Sequence, residues 1–301
     1  MFLQWKKTYS LAVLFLTLCS NTVYAQLNIF ACEPEWAALT RTLAGDAATV
    51  YSATSAQQDP HHIQARPSLI AKVRRADMLV CTGAELEVGW LPLLLRKSGN
   101  ANIQPGQAGY FMATDHVSLL EKPSVLDRSL GDIHAAGNPH IHLDPYRIQQ
   151  VARALTSRLI TVDPANKLHY REHLEGFSLE WAKAITQWEK QTQTLRGKRI
   201  VVAHNNWVYL EEWLGLKRVA VLEPKPGIPP SSSHLSKVLT QLKQNPADMI
   251  VHSSYQNDKP ALWLAKKTSL PVVVLPFSGA DKESLIHWFD RLLGQLLSAD
   301  P

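Results

Sequence analysis

Three histidines in this chain have the residue type and the setting of metal ligands. They are His61, His140 and His204. A neutral imidazole is the commonest protein ligand for a borderline metal such as zinc. The histidines are separated by 79 and 64 residues, so no single helix or hairpin can hold all three. If the fold brings them together, they form a metal site, and the sequence therefore predicts a metal-binding protein that is not an enzyme.

Neighbouring histidines offer alternatives to this set. His62 follows His61 in an extended segment, where adjacent side chains point to opposite faces, so only one of the two can face a shared site. His142 lies two residues beyond His140, and spacing alone does not choose between them. His134, in a loop bordered by glycines, is expected at the surface, with an auxiliary ligand role as the alternative. His252 ends an apolar run and is a candidate for contacts behind the ligands.

The first 25 residues have the pattern of a secretory signal peptide. A basic start at Lys6 and Lys7 precedes an apolar run from Leu11 to Leu18, and Ala25 offers a small residue for cleavage. The run is too short to span a bilayer, which requires about 20 apolar residues. Leu18 before Cys19 is bulkier than a lipid-attachment site prefers. We therefore expect an exported, soluble protein without a lipid anchor, located in the periplasm.

Charge and length restrict the class of protein further. Removal of the signal leaves 29 basic and 26 acidic residues, spread without basic blocks. Nucleic-acid binding would require a clustered basic surface, so nucleic acid is not an expected partner. About 275 mature residues exceed one comfortable core and suit two domains.

Two cysteines, Cys32 and Cys81, remain after cleavage. Each lies at the end of an apolar run typical of a strand. In an oxidising exported compartment an even pair favours a disulfide, and two buried thiols are the alternative.

Apolar strands and helical stretches alternate along most of the chain. This alternation predicts βαβ units around parallel sheets. Between residues 164 and 196 the pattern changes to one amphipathic helix of about 30 residues, near 45 Å long. The predicted fold is α/β with two lobes, each a parallel sheet flanked by helices, joined by one long rigid spine helix. The predicted boundaries are a signal peptide at 1–25, an N-terminal lobe at 26–163, the spine at 164–196 and a C-terminal lobe at 197–301.

Such a fold would place the three histidines at one cleft. Ligands of open α/β sheets bind outside the carboxyl ends of the strands. His204 ends the apolar run Ile200–Ala203, and His61 follows another predicted strand through a turn. A proline precedes both His61 and His140, and its fixed dihedral stiffens each turn.

Several motifs together resemble the cluster A-I solute-binding proteins, the exported zinc- or manganese-capturing components of ABC importers. The resemblance covers the whole mature chain, and the motifs stand in the family's order. They are Asp59-Pro60-His61, Asn138-Pro139-His140 with Leu143-Asp144-Pro145, Val202-Ala203-His204, and Leu222-Glu223-Pro224-Lys225-Pro226-Gly227-Ile228-Pro229-Pro230. The resemblance implies the two-lobed fold with its spine and the ligands His61, His140 and His204, and it favours His140 over His142.

The family's fourth ligand is an acid near the start of the last helix, where this chain has Ser284. The nearby acids are Asp281 and Glu283. We take Asp281 as the fourth ligand, with Glu283, a water or an open position as alternatives. The long histidine-rich loop of some zinc-binding members is absent from this sequence.

Three imidazoles with at most one carboxylate favour Zn(II) as the transported cargo over Mn(II), because manganese sites lean towards carboxylate oxygen. A histidine must be neutral to bind a metal, so zinc affinity is expected to fall below about pH 6.5. The resemblance implies one partner, the integral-membrane permease of an ABC importer, and we expect a monomer.

Two proteins of other classes are alternatives to a zinc receptor. An exported zinc hydrolase also uses three histidines and a water, but the chain has no His-Glu-x-x-His sequence, and only Glu223 offers a general base. A cell-surface adhesin of the same fold would be favoured by a lipid anchor, which the residue before Cys19 argues against.

Overall fold

The structure, a computed structural model, describes residues 26–123 and 134–299. The predicted signal peptide, residues 1–25, lies outside the described residues. Together, the described residues form two α/β lobes, in agreement with the predicted fold class.

The N-terminal lobe is built on a four-stranded parallel sheet with strand order β2-β1-β3-β4. Its strands are β1 (Leu27–Ala31), β2 (Ala48–Ser52), β3 (Met78–Cys81) and β4 (Tyr110–Met112), and its helices are α1 (Pro34–Ala44), α2 (Pro67–Arg74), α3 (Leu91–Ser98) and α4 (Pro145–Val162). Every residue of β3 is buried, as expected for an inner strand of a sheet covered on both faces. A proline is the first or second residue of each of these helices, where its missing N–H leaves no hydrogen bond unmade.

The C-terminal lobe repeats this arrangement with strand order β6-β5-β7-β8. Its strands are β5 (Arg199–Val202), β6 (Lys217–Val221), β7 (Met249–Ser253) and β8 (Val272–Leu275), and its helices are α6 (Val208–Leu214), α7 (Ser232–Gln244), α8 (Lys259–Thr268) and α9 (Leu285–Ser298). In each lobe the first strand is paired with the second on one side and the third on the other. The connections therefore diverge at the carboxyl end of β1 and of β5, which is where open α/β sheets bind ligands.

The predicted spine is helix α5 (Lys167–Gln191), shorter than the sequence suggested. Its 25 residues extend about 37 Å, because 3-10 turns at Pro164–Asn166 and Gln193–Leu195 replace the outer turns of the expected helix. Helix α4 packs along it, so the connection between the lobes is a helix pair. In residues 26–123 and 134–299, no helix combines the length and the apolarity needed to cross a membrane.

One hydrophobic core runs through both lobes. It joins residues of the first sheet such as Ile29, the spine residues Trp181 and Trp188, and residues of the second sheet such as Ile200. The indole of Trp181 donates to the carbonyl of Pro145, and that of Trp188 donates to Asp290 of α9. Helix α9 packs on both α5 and α1, so the end of the chain returns to the N-terminal lobe.

Cys32 and Cys81 form the expected disulfide, which links the carboxyl ends of the neighbouring strands β1 and β3. Beside it, two carboxyl groups are buried together. Glu87 accepts hydrogen bonds from the backbone N–H groups of Thr82 and Gly83, and burial raises the pKa of Glu87 to about 7. Burial, reinforced by the charges of Glu87 and Glu35, also raises the pKa of Glu33.

Candidate metal centre

The fold brings His61, His140 and His204 to one point between the lobes. His61 follows β2 through a turn, His140 precedes the 3-10 turn at Ile141–Leu143, and His204 lies at the carboxyl end of β5. The ring centroid of His61 is 5.6 Å from that of His140 and 6.1 Å from that of His204, and the last two are 6.4 Å apart. Zn–N distances near 2.1 Å with tetrahedral angles would place imidazole centroids about 5 Å apart, so small side-chain movements would bring these rings to coordination distance.

A fourth ring, that of His134, joins this cluster. Its centroid is 5.3 Å from His61 and 6.4 Å from His140, and its Nε2 is 3.3 Å from the Nε2 of His61. Its Nδ1 donates to the carbonyl of Ala84 at 3.0 Å, which leaves the Nε2 lone pair directed at the cluster. The expectation of a surface position for His134 was wrong, because this contact with Ala84 holds the ring half-buried against the site.

Two carboxylates fix the orientation of the ligand candidates. Asp59 Oδ1 is 2.8 Å from His61 Nδ1, and Glu223 Oε2 is 2.6 Å from His204 Nδ1. A carboxylate only accepts, so Nδ1 carries the proton in both rings and Nε2 presents its lone pair. Burial alone would raise the pKa of Asp59, but the hydrogen bonds from His61 and the charges of His61 and His62 together outweigh it, and the pKa is lowered.

Sequence reasoning did not assign this role to Asp59 or Glu223, although signals for both were present. Asp59 stands two residues before His61, a spacing at which a carboxylate can fold back onto the ring. Glu223 follows β6, the direct neighbour of β5, so the carboxyl ends of the two strands bring Glu223 and His204 together.

His140 is the most buried of the cluster, with 1% of its surface exposed. Its Nδ1 has no hydrogen-bond partner among the described residues. An unsatisfied buried polar atom costs about 1–3 kcal/mol. Burial, with the neighbouring histidines, lowers the pKa of His140 well below its usual value, so the ring is neutral and able to bind a metal.

His142 lies beside this cluster but is held by the C-terminal lobe. Its Nε2 donates to the carbonyl of Phe277 at 3.1 Å, and its ring stacks on Trp288. Its Nδ1 is 3.5 Å from Glu35 Oε1, an ion-pair distance without a hydrogen bond. His252 is buried on β7, where its Nδ1 donates to the carbonyl of Ser253.

The structure does not bring the acids near the last helix to the histidines. Asp281 has 77% of its side chain exposed and lies 3.7 Å from Arg41, on the surface beside α1. Glu283 accepts hydrogen bonds from the guanidinium of Arg291 and the backbone of Ala280. Both acids therefore already have partners away from the site.

Two cavities adjoin the histidine cluster. The larger, of about 630 Å³, is lined by His61, His62 and His204 together with the loops that follow β6 and β7. The smaller, of about 150 Å³, is lined by His134, His140 and His204. Among the described residues that line the two cavities, His204 is common to both.

Comparison with known proteins gives consistent matches over almost the whole chain. The profile of the family described as ZnuA, zinc-uptake complex component A, periplasmic, matches residues 29–299. The high-affinity zinc uptake system protein ZnuA of Bacillus subtilis is 22% identical over 298 residues, which cover 94% of this chain and 92% of that protein. The manganese ABC transporter substrate-binding lipoprotein PsaA of Streptococcus pneumoniae is 23% identical over 291 residues, covering 91% of this chain and 90% of that protein.

A crystal structure of ZnuA has the same fold. It superposes with a TM-score of 0.75 at 20% sequence identity and covers 92% of this chain and 100% of that chain.

Proposed function

The chain belongs to the ZnuA family of periplasmic zinc-uptake components, and from this premise we propose that it captures Zn(II) at the histidine cluster and delivers it to the membrane permease of an ABC importer. The proposed ligands are His61, His140 and His204. The observation that carries the proposal is the convergence of these rings from three distant segments. In His61 and His204 a carboxylate accepts the Nδ1 proton, so that the Nε2 lone pair is left for a metal.

We propose His134 as the fourth ligand. Its Nε2 lies 3.3 Å from that of His61, and two such nitrogens with facing lone pairs repel each other unless a proton or a metal lies between them. Asp281 is not part of the proposed set, because its side chain is exposed and paired with Arg41.

The donor set favours zinc over manganese. Four imidazoles without a coordinating carboxylate match the tetrahedral nitrogen coordination of zinc, whereas manganese favours carboxylate and water oxygen. Manganese remains the second candidate, since a manganese transporter's binding lipoprotein is among the relatives.

Binding without catalysis is the activity that the site supports. A zinc hydrolase needs a free general base beside the metal-bound water. Glu223, the carboxylate that sequence reasoning considered for this role, is engaged with His204 Nδ1 and with the backbone of Gly227. We propose export to the periplasm as a monomer, with residues 1–25 as the signal peptide.

The proposal is tested by titrating metal-stripped mature protein with zinc against a chromophoric chelator, with manganese in parallel. We expect one tight zinc site per chain and manganese at least a hundredfold weaker. His204→Ala should weaken zinc binding at least a hundredfold, and His287→Ala, whose side chain is 72% exposed, is the matched control. Absence of a tight site would contradict the function, and unchanged affinity in His204→Ala would contradict the ligand set.

A further inference from the structure

The larger cavity beside the histidines is much bigger than a metal ion needs. A bound water occupies about 30 Å³, so zinc with one or two waters would fill a small part of the 630 Å³. Pockets for small organic molecules typically measure about 300–1,000 Å³. Because His61 and His204 line this cavity, it adjoins the proposed metal site on the side of these two ligands.

The walls of the cavity combine apolar surface with a few polar groups. Its apolar wall is formed by Leu222, Pro229, Pro230, Leu235 and Trp263, and its polar wall includes Gln256, Asn257 and Lys259. Such a mixture is typical of small-molecule sites, in which apolar surface provides affinity and a few polar groups fix orientation.

The free polar groups of this wall are donors. The Gln256 side-chain oxygen accepts from the backbone N–H of Ser253, and that of Asn257 accepts from the backbone N–H of Lys259. Both amides therefore keep their NH₂ groups for other partners. The Lys259 ammonium makes no ion pair within residues 26–123 and 134–299.

The two acids of the cavity are directed at the metal centre. Asp59 and Glu223 also line it, but each accepts a hydrogen bond from a histidine of the metal centre. The wall formed by Gln256, Asn257 and Lys259 is thus suited to a ligand that brings its own acceptors.

We propose that this cavity binds the organic part of a metal chelate, a small carboxylate-bearing molecule that coordinates the zinc held by the histidines. One carboxylate would take the coordination position of His134 on the metal. Another would accept from Lys259 and the two amides, with the carbon skeleton against Trp263 and Leu235. This inference rests on the proposed zinc binding and adds the form in which the metal is captured.

The test uses equilibrium dialysis of the mature protein with isotopically labelled citrate, malate or tartrate, with and without one equivalent of zinc. We expect at least one chelator to be retained at about one per chain only when zinc is present, with the zinc still on the protein. Lys259→Glu should weaken retention at least tenfold while zinc affinity stays within twofold. Lys266→Glu makes the same charge change on an exposed position of α8 and should have no effect.

The outcomes separate this inference from the proposed function. Tight zinc binding with none of the three chelators retained, or equal retention by Lys259→Glu, overturns the chelate site and leaves the zinc receptor intact. Failure to bind zinc in the absence of chelator contradicts the proposed function itself.

Discussion

At the scale of single residues, the carboxylates behind the histidines determine which ring nitrogen can bind a metal. Asp59 and Glu223 each hold a proton on Nδ1, and the carbonyl of Ala84 does the same for His134. Partners of this kind raise ligand basicity, and their loss typically costs 10–100-fold in metal affinity.

Replacing Glu223 with glutamine should therefore weaken zinc binding by about 10–100-fold without unfolding the protein. The amide keeps the shape of the side chain but no longer stabilises the imidazole through a charged acceptor. Chelator competition measures the affinity, and circular dichroism checks the fold. The control is Glu172→Gln, on an exposed position of α5. Equal affinities for the two variants would contradict the positioning role.

The identity of the fourth ligand can be decided by a pair of substitutions. His134→Ala should lower zinc affinity by about 10–100-fold, since it removes one of four donors, whereas Asp281→Asn should change it by less than about twofold. The same competition assay applies to both variants. The reverse ranking would restore the acid that the family pattern suggested and remove His134 from the site.

The sequence identified three of the four clustered histidines because each stands at a strand end or beside a proline. It gave His134 a ligand role only as an alternative, since the ring is positioned by a contact with Ala84, 50 residues away. Asp281 illustrates the opposite difficulty. Its acidic type and its place near α9 matched the family pattern, but its orientation towards Arg41 depends on packing that spacing does not encode.

At the scale of secondary-structure elements, β1 and β3 are joined both by backbone pairing and by the Cys32–Cys81 disulfide. The carboxyl ends of these strands also carry Glu33 and lead to Glu87. This edge of the N-terminal sheet thus combines a covalent link with a buried pair of carboxyl groups.

Removing the disulfide with Cys32→Ala and Cys81→Ala together should lower the free energy of unfolding by about 4 kcal/mol. The figure follows from the entropy of closing a loop of about 50 residues in the unfolded chain. Urea denaturation of the metal-free protein measures it, with reductant-treated wild type as the comparison. A loss below about 1 kcal/mol would show that the link constrains the unfolded chain little.

The buried carboxyl pair should make stability depend on pH. Glu33 and Glu87 hold protons more tightly in the folded protein than in the unfolded chain, since their pKa values are raised, that of Glu87 to about 7. The stabilising contribution of Glu87 is therefore complete below about pH 4.5 and is lost as pH rises through about 7, and that of Glu33 is lost in the same direction.

The Glu33→Gln variant removes one of these titrations. Its unfolding free energy should rise relative to that of the wild type as the pH is raised from 5 to 8, because the wild type loses the contribution of the buried Glu33 carboxyl over this range and the variant does not. Urea denaturation across this range measures the difference, and the Glu172→Gln control should follow wild type. Parallel curves for wild type and Glu33→Gln would contradict the shared burial of the pair.

Apolar runs predict strands at Leu27–Ala31 and Met78–Thr82, and the proline at residue 67 predicts a helix to Arg75. Each of these predictions lies within two residues of the observed element. Strand β4 and helix α3 were not predicted. The strand has three residues, too few for a periodic signal, and Leu91–Ser98 holds consecutive leucines that do not distinguish a helix from a strand.

At the scale of the whole molecule, the two lobes share one core and are not free to move independently. Trp181 and Trp188 of α5 pack within a continuous cluster that includes residues of both sheets. Further links cross between the lobes near the site, where Tyr209 donates to the carbonyl of Asn138 and Arg218 pairs with Glu121.

Zinc binding should therefore change the overall dimensions very little. A compact chain of this length has a radius of gyration of about 19 Å, and we expect small-angle X-ray scattering to detect a change below about 0.5 Å on adding zinc. The zinc-free and zinc-loaded proteins are compared at one concentration. A decrease of more than about 1 Å would indicate a hinge that the shared core does not allow.

The continuous core also bears on how a transporter could recognise a filled receptor. If the overall shape does not change when the metal binds, a partner cannot use that shape to recognise the loaded protein. It must instead recognise a local difference at the rim of the cleft. The segment from Glu223 to Pro230 is suited to provide this local difference, since it begins at the carboxylate that contacts His204 and lines part of the larger cavity. Discrimination between metal-loaded and metal-free receptors would then depend on a few side chains. Substitution of these side chains could abolish recognition by the permease while metal binding is retained.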